Sequence, residues 1–157
     1  MSDNKQMLYA RNLICICIDD IQNGDYQGQI WHQYSDDPID FDGFLQMFDL
    51  MEGLLDEWDF PQKALSTRSF FRQEKPSYKK KANPDEIVMD QVQKEHGTRN
   101  IQNKRGKRAT FIVQVSFRQR ATWQGHVIHA ESDEKQDYQS EMELLRIMDS
   151  YIKSGNY

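Results

Sequence analysis

The sequence predicts an α+β fold: a duplicated β-β-α unit forms one four-stranded antiparallel sheet with two helices on one face, and a basic insert contains a short helix. The main observation is an internal repeat with a constant offset of 97 positions. Residues Asp25–His32 read Asp-Tyr-Gln-Gly-Gln-Ile-Trp-His, and Thr122–His129 read Thr-Trp-Gln-Gly-His-Val-Ile-His. In both copies, β-rich runs precede a helical pattern. One unit is too small to bury its apolar face, whereas two can share one sheet.

The strands are predicted from a β-branched run at Leu13–Ile18 and a hairpin signal at Gln22–Gly24. We predict a three-residue loop with Gly24 in the left-handed conformation, because a two-residue loop would mix polar residues with the apolar set of the second copy. In the first copy, this register places on one face Ile14, Ile16, Ile18, Tyr26, Gly28, Ile30 and His32. In the second copy, it places together Phe111, Val113, Val115, Phe117, Trp123, Gly125, Val127 and His129.

A helix follows each hairpin. In the second copy, Ser140 and Glu143 have the spacing of a capping box, and apolar residues continue at helical spacing. The first copy begins more weakly at Gly43, and Pro61 ends its helix. A glycine within each second strand, Gly28 or Gly125, indicates close approach of a helix or an aromatic ring.

Residues 1–157 are predicted to form a single domain with three parts: repeat 11–60, insert 61–108 and repeat 109–157. No run approaches the roughly 18 apolar residues of a membrane helix. The N-terminus is polar, which favours a cytoplasmic location without membrane association. Cys15 and Cys17 are predicted to be reduced thiols on one strand, since disulfide geometry does not suit that arrangement.

The insert is the basic part of an acidic chain whose net charge is -5. Residues 1–61 carry 2 basic and 13 acidic side chains, whereas residues 62–108 carry 13 and 5. Within the insert, Asn83 and Pro84 are typical of a helix start, and Gly97 is typical of its end. A connection of this length inside a domain is usually functional or disordered.

The sheet face opposite the predicted helices is too apolar to remain in water. It would carry Cys15, Cys17, Gln27, Trp31, Ile112, Gln124, His126, Ile128 and Ala130. Either the insert helix, around Ile87, Val88 and Val92, or a second subunit or partner protein should cover it. The residues predicted to bind a protein partner or form a homodimer are Trp31, Gln27, Gln124, His126 and Ile128.

Basic side chains near aromatic residues indicate a candidate site for RNA or single-stranded DNA, because cations bind phosphates and aromatic rings stack on bases. The candidates are Lys79, Lys80, Lys81, Lys104, Arg105, Lys107, Arg108, Arg118 and Arg120. The alternative is a solvated linker whose charge complements the acidic first repeat. That acidic repeat would also suit an inhibitor that imitates nucleic acid and occupies the basic groove of an enzyme.

No catalytic signature is found, and we predict no catalytic residue, cofactor or metal. His32 and His129 are repeated, but both fall on the packed face, where hydrogen-bonded core histidines are common. Cys15 and Cys17 have no second cysteine pair to complete a zinc site. The aspartates of the first copy, such as Asp36 and Asp40, fit turns and helix starts better than an ion site.

The second hairpin also carries a resemblance. The stretch Phe117–Gly125 reads Phe-Arg-Gln-Arg-Ala-Thr-Trp-Gln-Gly, and Leu144–Ser150 follows in the last helix. These segments resemble a group of short uncharacterised proteins of Gram-positive gut bacteria that share an Arg-Gln-x-Ala-x-Trp-Gln-Gly hairpin. The resemblance covers mainly residues 109–153 and implies no activity and no functional residue. Where the group has Asn at the third motif position, this chain has Arg120.

These observations together favour a non-enzymatic protein-interaction or regulatory domain that works through a sheet face and the basic insert. Binding of RNA or single-stranded DNA is the first alternative. Inhibition of a nucleic-acid enzyme by acidic mimicry is the second.

Overall fold

The protein is α+β, as predicted, and the computed structural model describes residues 7–61, 63–64, 88–119 and 122–154. The strands are β1 (Ile14–Gln22), β2 (Asp25–His32), β3 (Ile39–Asp42), β4 (Lys63–Ala64), β5 (Ala109–Gln119), β6 (Thr122–His129) and β7 (Glu134–Tyr138). The helices are α1 (Phe44–Trp58), α2 (Val88–His96) and α3 (Glu141–Ser154). No described helix has the length and apolar character needed to cross a membrane.

The sheet contains six antiparallel strands in the order β3-β2-β1-β5-β6-β7, and the two-residue β4 pairs in parallel with the end of β5. The prediction of four strands was therefore wrong in detail, because each half adds a third strand before its helix. β3 and β7 are short edge strands, and most of their side chains are exposed. Such strands need no continuous apolar pattern, so the sequence signal for them is weak.

The centre of the sheet joins the two halves through β1 and β5. Cys15 pairs with Ile112, Ile14 with Val113 and Ile16 with Phe111. The same pairs result when each residue is replaced by the one 97 positions away. The register of the two halves is therefore related by an approximate twofold axis between Cys15 and Ile112.

The first hairpin differs from the predicted loop but keeps the predicted face. The loop has two residues, Asn23 and Gly24, with φ angles of 54° and 79°, which suit a type I′ turn and the twist of a hairpin. A β-bulge between Ile18 and Asp20 then shifts the register by one residue. Because of the bulge, Ile18 still pairs with Gly28 as the three-residue loop predicted.

The second hairpin carries the equivalent bulge, between Val115 and Phe117. Here the predicted placement of Phe117 in the core was wrong: its exposed fraction is 57%. The bulge instead pairs Arg118 with Trp123, and both side chains are buried. A bulge redirects every side chain beyond it, so a simple alternation rule fails there.

Gly28 and Gly125 are required by close backbone contact. A Cβ on Gly28 would lie 1.9 Å from the carbonyl oxygen of Cys17, and one on Gly125 would lie 2.0 Å from that of Gln114. The neighbouring strand is thus the nearest obstacle, rather than a helix. An aromatic ring is also involved, because the Tyr138 hydroxyl would be 2.9 Å from the Gly125 Cβ.

The helix starts of α1 and α3 use related contacts. The Ser140 hydroxyl accepts from the Glu143 backbone N–H at 3.1 Å, as the predicted capping box requires. At α1, where Gly43 has no side chain to contribute, the Asp25 carboxylate accepts from the Phe44 N–H at 2.9 Å. A side chain from the preceding hairpin therefore caps this helix.

Both repeat helices pack on the same face of the sheet, which we call the helix face. The core there includes Met47, Met51, Leu55 and Trp58 of α1, Leu144 and Met148 of α3, and Met89 of α2. α2 ends at His96, and Gly97 follows with a φ of 71°, in agreement with its predicted role as the end of the helix. The predicted helix start at Asn83 and Pro84 lies outside the described residues.

Candidate functional site

The opposite side of the sheet carries a second, smaller apolar cluster, which we call the Trp31 face. Alternate residues of β1, β5 and β6 place Cys15, Cys17, Ile112 and Ile128 on it, and Trp31 of β2 packs at its edge. Each of the first four is at most 2% exposed. The prediction of an apolar second face that needs a cover is therefore confirmed by its burial.

The cover comes from two segments of the chain itself. Leu8, in the segment before β1, and Ile101, in the segment after α2, are both buried against this cluster. The insert helix is not the cover, contrary to one of the predicted possibilities. Val92 of α2 packs against the core of the helix face, because the apolar side of α2 turns toward α1. Ile87 lies outside the described residues.

Hydrogen bonds of two glutamines, Gln33 and Gln102, hold these covering segments against the sheet. The Gln33 side chain accepts from the Leu13 N–H at 2.9 Å and donates to the Ala10 carbonyl at 3.3 Å, while its backbone carbonyl accepts from Arg99 at 2.7 Å. Gln102 donates to the Leu8 carbonyl at 2.9 Å. The covering segments are loops that form no strand ladder. Hydrogen bonds from side chain to backbone hold them in place instead.

A cavity of about 370 Å³ remains between the cover and the sheet. Ile112 and Ile128 form part of its lining, and polar groups of Asn100, Gln102 and Arg105 also line it. Small ligand sites commonly combine apolar walls with a few polar groups, in volumes of roughly 300–1,000 Å³. The lining holds hydrogen-bond donors and acceptors, the Arg105 guanidinium and the Asp133 carboxylate, which suit recognition of a side chain or small polar group.

Basic residues lie at the edge of the same face. The Lys104 ammonium lies 4.1 Å from the centre of the Trp31 ring and makes a cation–π contact with it. Arg105 donates to the backbone carbonyls of Gln102 and Lys104, at 2.9 and 2.7 Å. These contacts fix a short basic segment beside the cavity.

The other residues predicted to bind a partner lie on the same face, but nearer its margins. Gln27 and Gln124 are half-buried, and Gln124 donates to the Gln139 carbonyl at 3.3 Å. His126 contacts the Asp137 carboxylate at 2.5 Å. Ile128 is buried beneath the cavity, so a partner would reach it only through that opening.

The predicted basic residues that the structure describes do not form one surface. Arg118 is buried and paired with Glu52 and Asp56, at 2.9 and 2.6 Å, so it is removed from the candidate nucleic-acid site. Lys107 and Arg108 are exposed, but Arg108 lines a different cavity beside α3. Lys79, Lys80, Lys81 and Arg120 lie outside the described residues.

The repeated histidines are separate core residues. β1 and β5 lie between the strands that carry His32 and His129, so three strand spacings of about 4.8 Å put their backbones at least roughly 14 Å apart. His32 accepts from the Tyr34 N–H at 3.1 Å, and His129 stacks on Tyr151 with ring centres 4.3 Å apart. Burial lowers the pKa of both imidazoles.

No group of three or more potential metal ligands is found among the described histidine, cysteine and acidic side chains. The Sγ atoms of Cys15 and Cys17 lie 4.0 Å apart, and both cysteines are buried free thiols. The contact with Cys17, together with burial, raises the pKa of the Cys15 thiol.

Sequence reasoning missed the cavity residues Asn100, Gln102 and Asn103, since polar loop residues have no periodic pattern. The only signals were two apolar residues, Leu8 and Ile101, isolated in polar segments. Comparison of the chain with models of protein families, with curated proteins and with solved structures finds no match.

Proposed function

We propose that this chain is a non-enzymatic protein-interaction domain that binds a partner protein at the cavity of the Trp31 face. The observation that supports the proposal is the cavity itself, where buried Ile112 and Ile128 meet polar groups of the covering loop. Anchors that fill such pockets supply much of the energy of protein interfaces. The polar rim would fix the orientation of the bound group, and the cation at Lys104 would add an attraction for acidic partners.

The substitution Ala130→Arg tests this proposal, since Ala130 lines the cavity and is half-buried. A guanidinium there would fill the opening and repel Arg105. We expect binding of a purified partner, first recovered by affinity capture, to weaken by about tenfold or more. Isothermal titration calorimetry would measure the dissociation constant.

The matched control is Gln91→Arg, which adds the same charge at an exposed position of α2. It should leave the dissociation constant unchanged within about twofold. Both variants should keep the melting temperature of the parent chain. Equal binding by Ala130→Arg and the parent would exclude the cavity as the interface.

A second candidate function is binding of RNA or single-stranded DNA, and the contact between Lys104 and Trp31 favours it. An aromatic ring next to cations is the usual arrangement for stacking a base beside its phosphate. We expect a fluorescent single-stranded oligonucleotide of twelve nucleotides to bind in low salt and to dissociate steeply as salt rises. Fluorescence anisotropy would follow the binding.

The informative variant is Lys104→Gln with Arg105→Gln, compared with Lys94→Gln and Lys135→Gln, which remove equal charge from exposed sites. The first pair should abolish binding and the second pair should retain most of it. If the two pairs weaken binding equally, the attraction is a general charge effect. Undetectable binding in low salt would remove this second candidate.

A further inference from the structure

A second cavity lies on the other side of the sheet, between the β1–β2 hairpin and α3. Its volume is about 600 Å³, and we call it the hairpin groove. Its apolar lining consists of Ile21 and Tyr26 of the hairpin, Phe44 of α1, and Leu145 and Ile152 of α3. The groove thus combines side chains from both halves of the molecule.

Its charged lining is predominantly basic. Of the described residues in the lining, Arg108, Arg146 and Lys153 contribute positive charge and Asp149 contributes negative charge. Asp149 is already engaged: it accepts from the Tyr26 hydroxyl at 2.7 Å and lies 3.0 Å from the Lys153 ammonium. Arg108 and Arg146 are exposed, so the groove presents an excess of positive charge to a ligand.

The approximate twofold axis gives this groove a counterpart in the other half. There, Trp123 takes the place of Tyr26, and its indole N–H donates to Glu52 at 2.6 Å, just as Tyr26 donates to Asp149. Arg118 takes the place of Ile21, since the two positions are 97 apart and pair with Trp123 and Tyr26. The two sites are therefore built on the same backbone pattern.

The counterpart is occupied by the chain itself. Pro61, just after α1, accepts a hydrogen bond from Arg118 through its carbonyl at 2.6 Å. The ring of Phe60 lies 5.9 Å from the guanidinium carbon of Arg11, which is the equivalent of Arg108. Phe60 and Pro61, in the irregular segment after α1, thus contact the counterparts of two residues that line the hairpin groove, Arg108 and Ile21.

We propose that the hairpin groove binds an extended segment of a partner protein that carries an aromatic side chain next to acidic residues. The aromatic ring would sit beside Arg108, as Phe60 sits beside Arg11. The acidic residues would meet Arg146 and Lys153, whose counterparts on α1 are the acidic Asp49 and Asp56. This surface lies on the helix side of the sheet, so the proposal is independent of the cavity on the Trp31 face.

Side chains, rather than strand addition, would hold the segment. The pairing of β1 with β5 ends at Ile18, and Ile21, beyond that point, lines the groove. There, the Asp20 carboxylate accepts from the Ile21 N–H at 2.9 Å. This backbone N–H is therefore not available to pair with an added strand. The counterpart edge on β5 instead pairs with β4.

The test is selection of a random library of twelve-residue peptides, displayed on phage, against the full chain. We expect enrichment of sequences with an aromatic residue within two positions of Asp or Glu. A labelled synthetic copy of an enriched peptide should bind at least about tenfold more weakly to Arg146→Glu. Its affinity should also fall as salt increases.

The control is Lys135→Glu, an equal charge reversal at an exposed site of β7, and it should leave the affinity within twofold. The proposal is overturned if acidic aromatic peptides are not enriched, or if the peptide binds equally to Arg146→Glu and the parent. It is also overturned if peptides bind only after residues 155–157 are removed, since the chain itself would then be the occupant. Failure of the Ala130→Arg prediction has no bearing on these results.

Discussion

Gly28→Ala is expected to lower the free energy of unfolding by about 3 kcal/mol, the upper part of the range for overpacked interiors. The new Cβ would lie 1.9 Å from the Cys17 oxygen and 2.9 Å from its carbonyl carbon. Both are backbone atoms of a central strand, so the ladder itself would have to move. Urea denaturation followed by circular dichroism would measure the change.

Gly53→Ala is the matched control, because a Cβ there meets nothing within 4 Å. Gly53 lies inside α1, where replacing glycine by alanine typically gains about 0.5–1 kcal/mol. The same substitution should therefore change stability in opposite directions at the two sites. Destabilisation of similar size at both would contradict the close approach at the bulge.

Arg118→Met should lower the free energy of unfolding by about 2–3 kcal/mol. The side chain of Arg118 is 3% exposed and bonds to Glu52 and Asp56 as well as to the Pro61 and Leu55 carbonyls. Methionine fills similar space but removes the guanidinium that these four acceptors share. Because the two carboxylates are 32% and 49% exposed, water would offset part of the loss.

Thermal and urea unfolding would measure this effect, with Arg146→Met as the control. Arg146 is exposed on α3, so its loss should change stability by less than about 0.5 kcal/mol. Adding Glu52→Gln to Arg118→Met should restore part of the stability, because it removes one of the two carboxylate charges that Arg118 neutralises. Equal effects of the two arginine substitutions would show that the buried network contributes little.

The helix-face core was predictable because the hairpin register of one repeat could be checked against the apolar pattern of the other. Ile16 and Val113 were placed correctly although the first loop was predicted one residue too long, since the bulge after Ile18 compensates for the shorter turn. Between the bulge and the turn of each hairpin, however, the actual register differs from the predicted one by one residue. Phe117 and Arg118 were consequently exchanged between the inside and outside of the sheet.

The candidate sites were less predictable, because loops and the pairing of halves create them. The face that holds Trp31 and Ile128 followed from alternation along the strands. Its cover did not, since Leu8 and Ile101 are single apolar residues whose partners are distant in the sequence. The buried role of Arg118 was also hidden, as its acceptors belong to a helix some sixty positions earlier.

The central pairing of β1 with β5 also bears on how the chain is made. One edge of β1 can pair with β2 as soon as the two-residue turn has been synthesised. The other edge can pair only after residues near Ile112 have been made. At a typical translation rate of 5–20 residues per second, that delay is roughly 5–20 s. During synthesis, this edge of β1 thus stays without its neighbouring strand until the second half emerges from the ribosome, and an unpaired apolar strand edge is prone to aggregation.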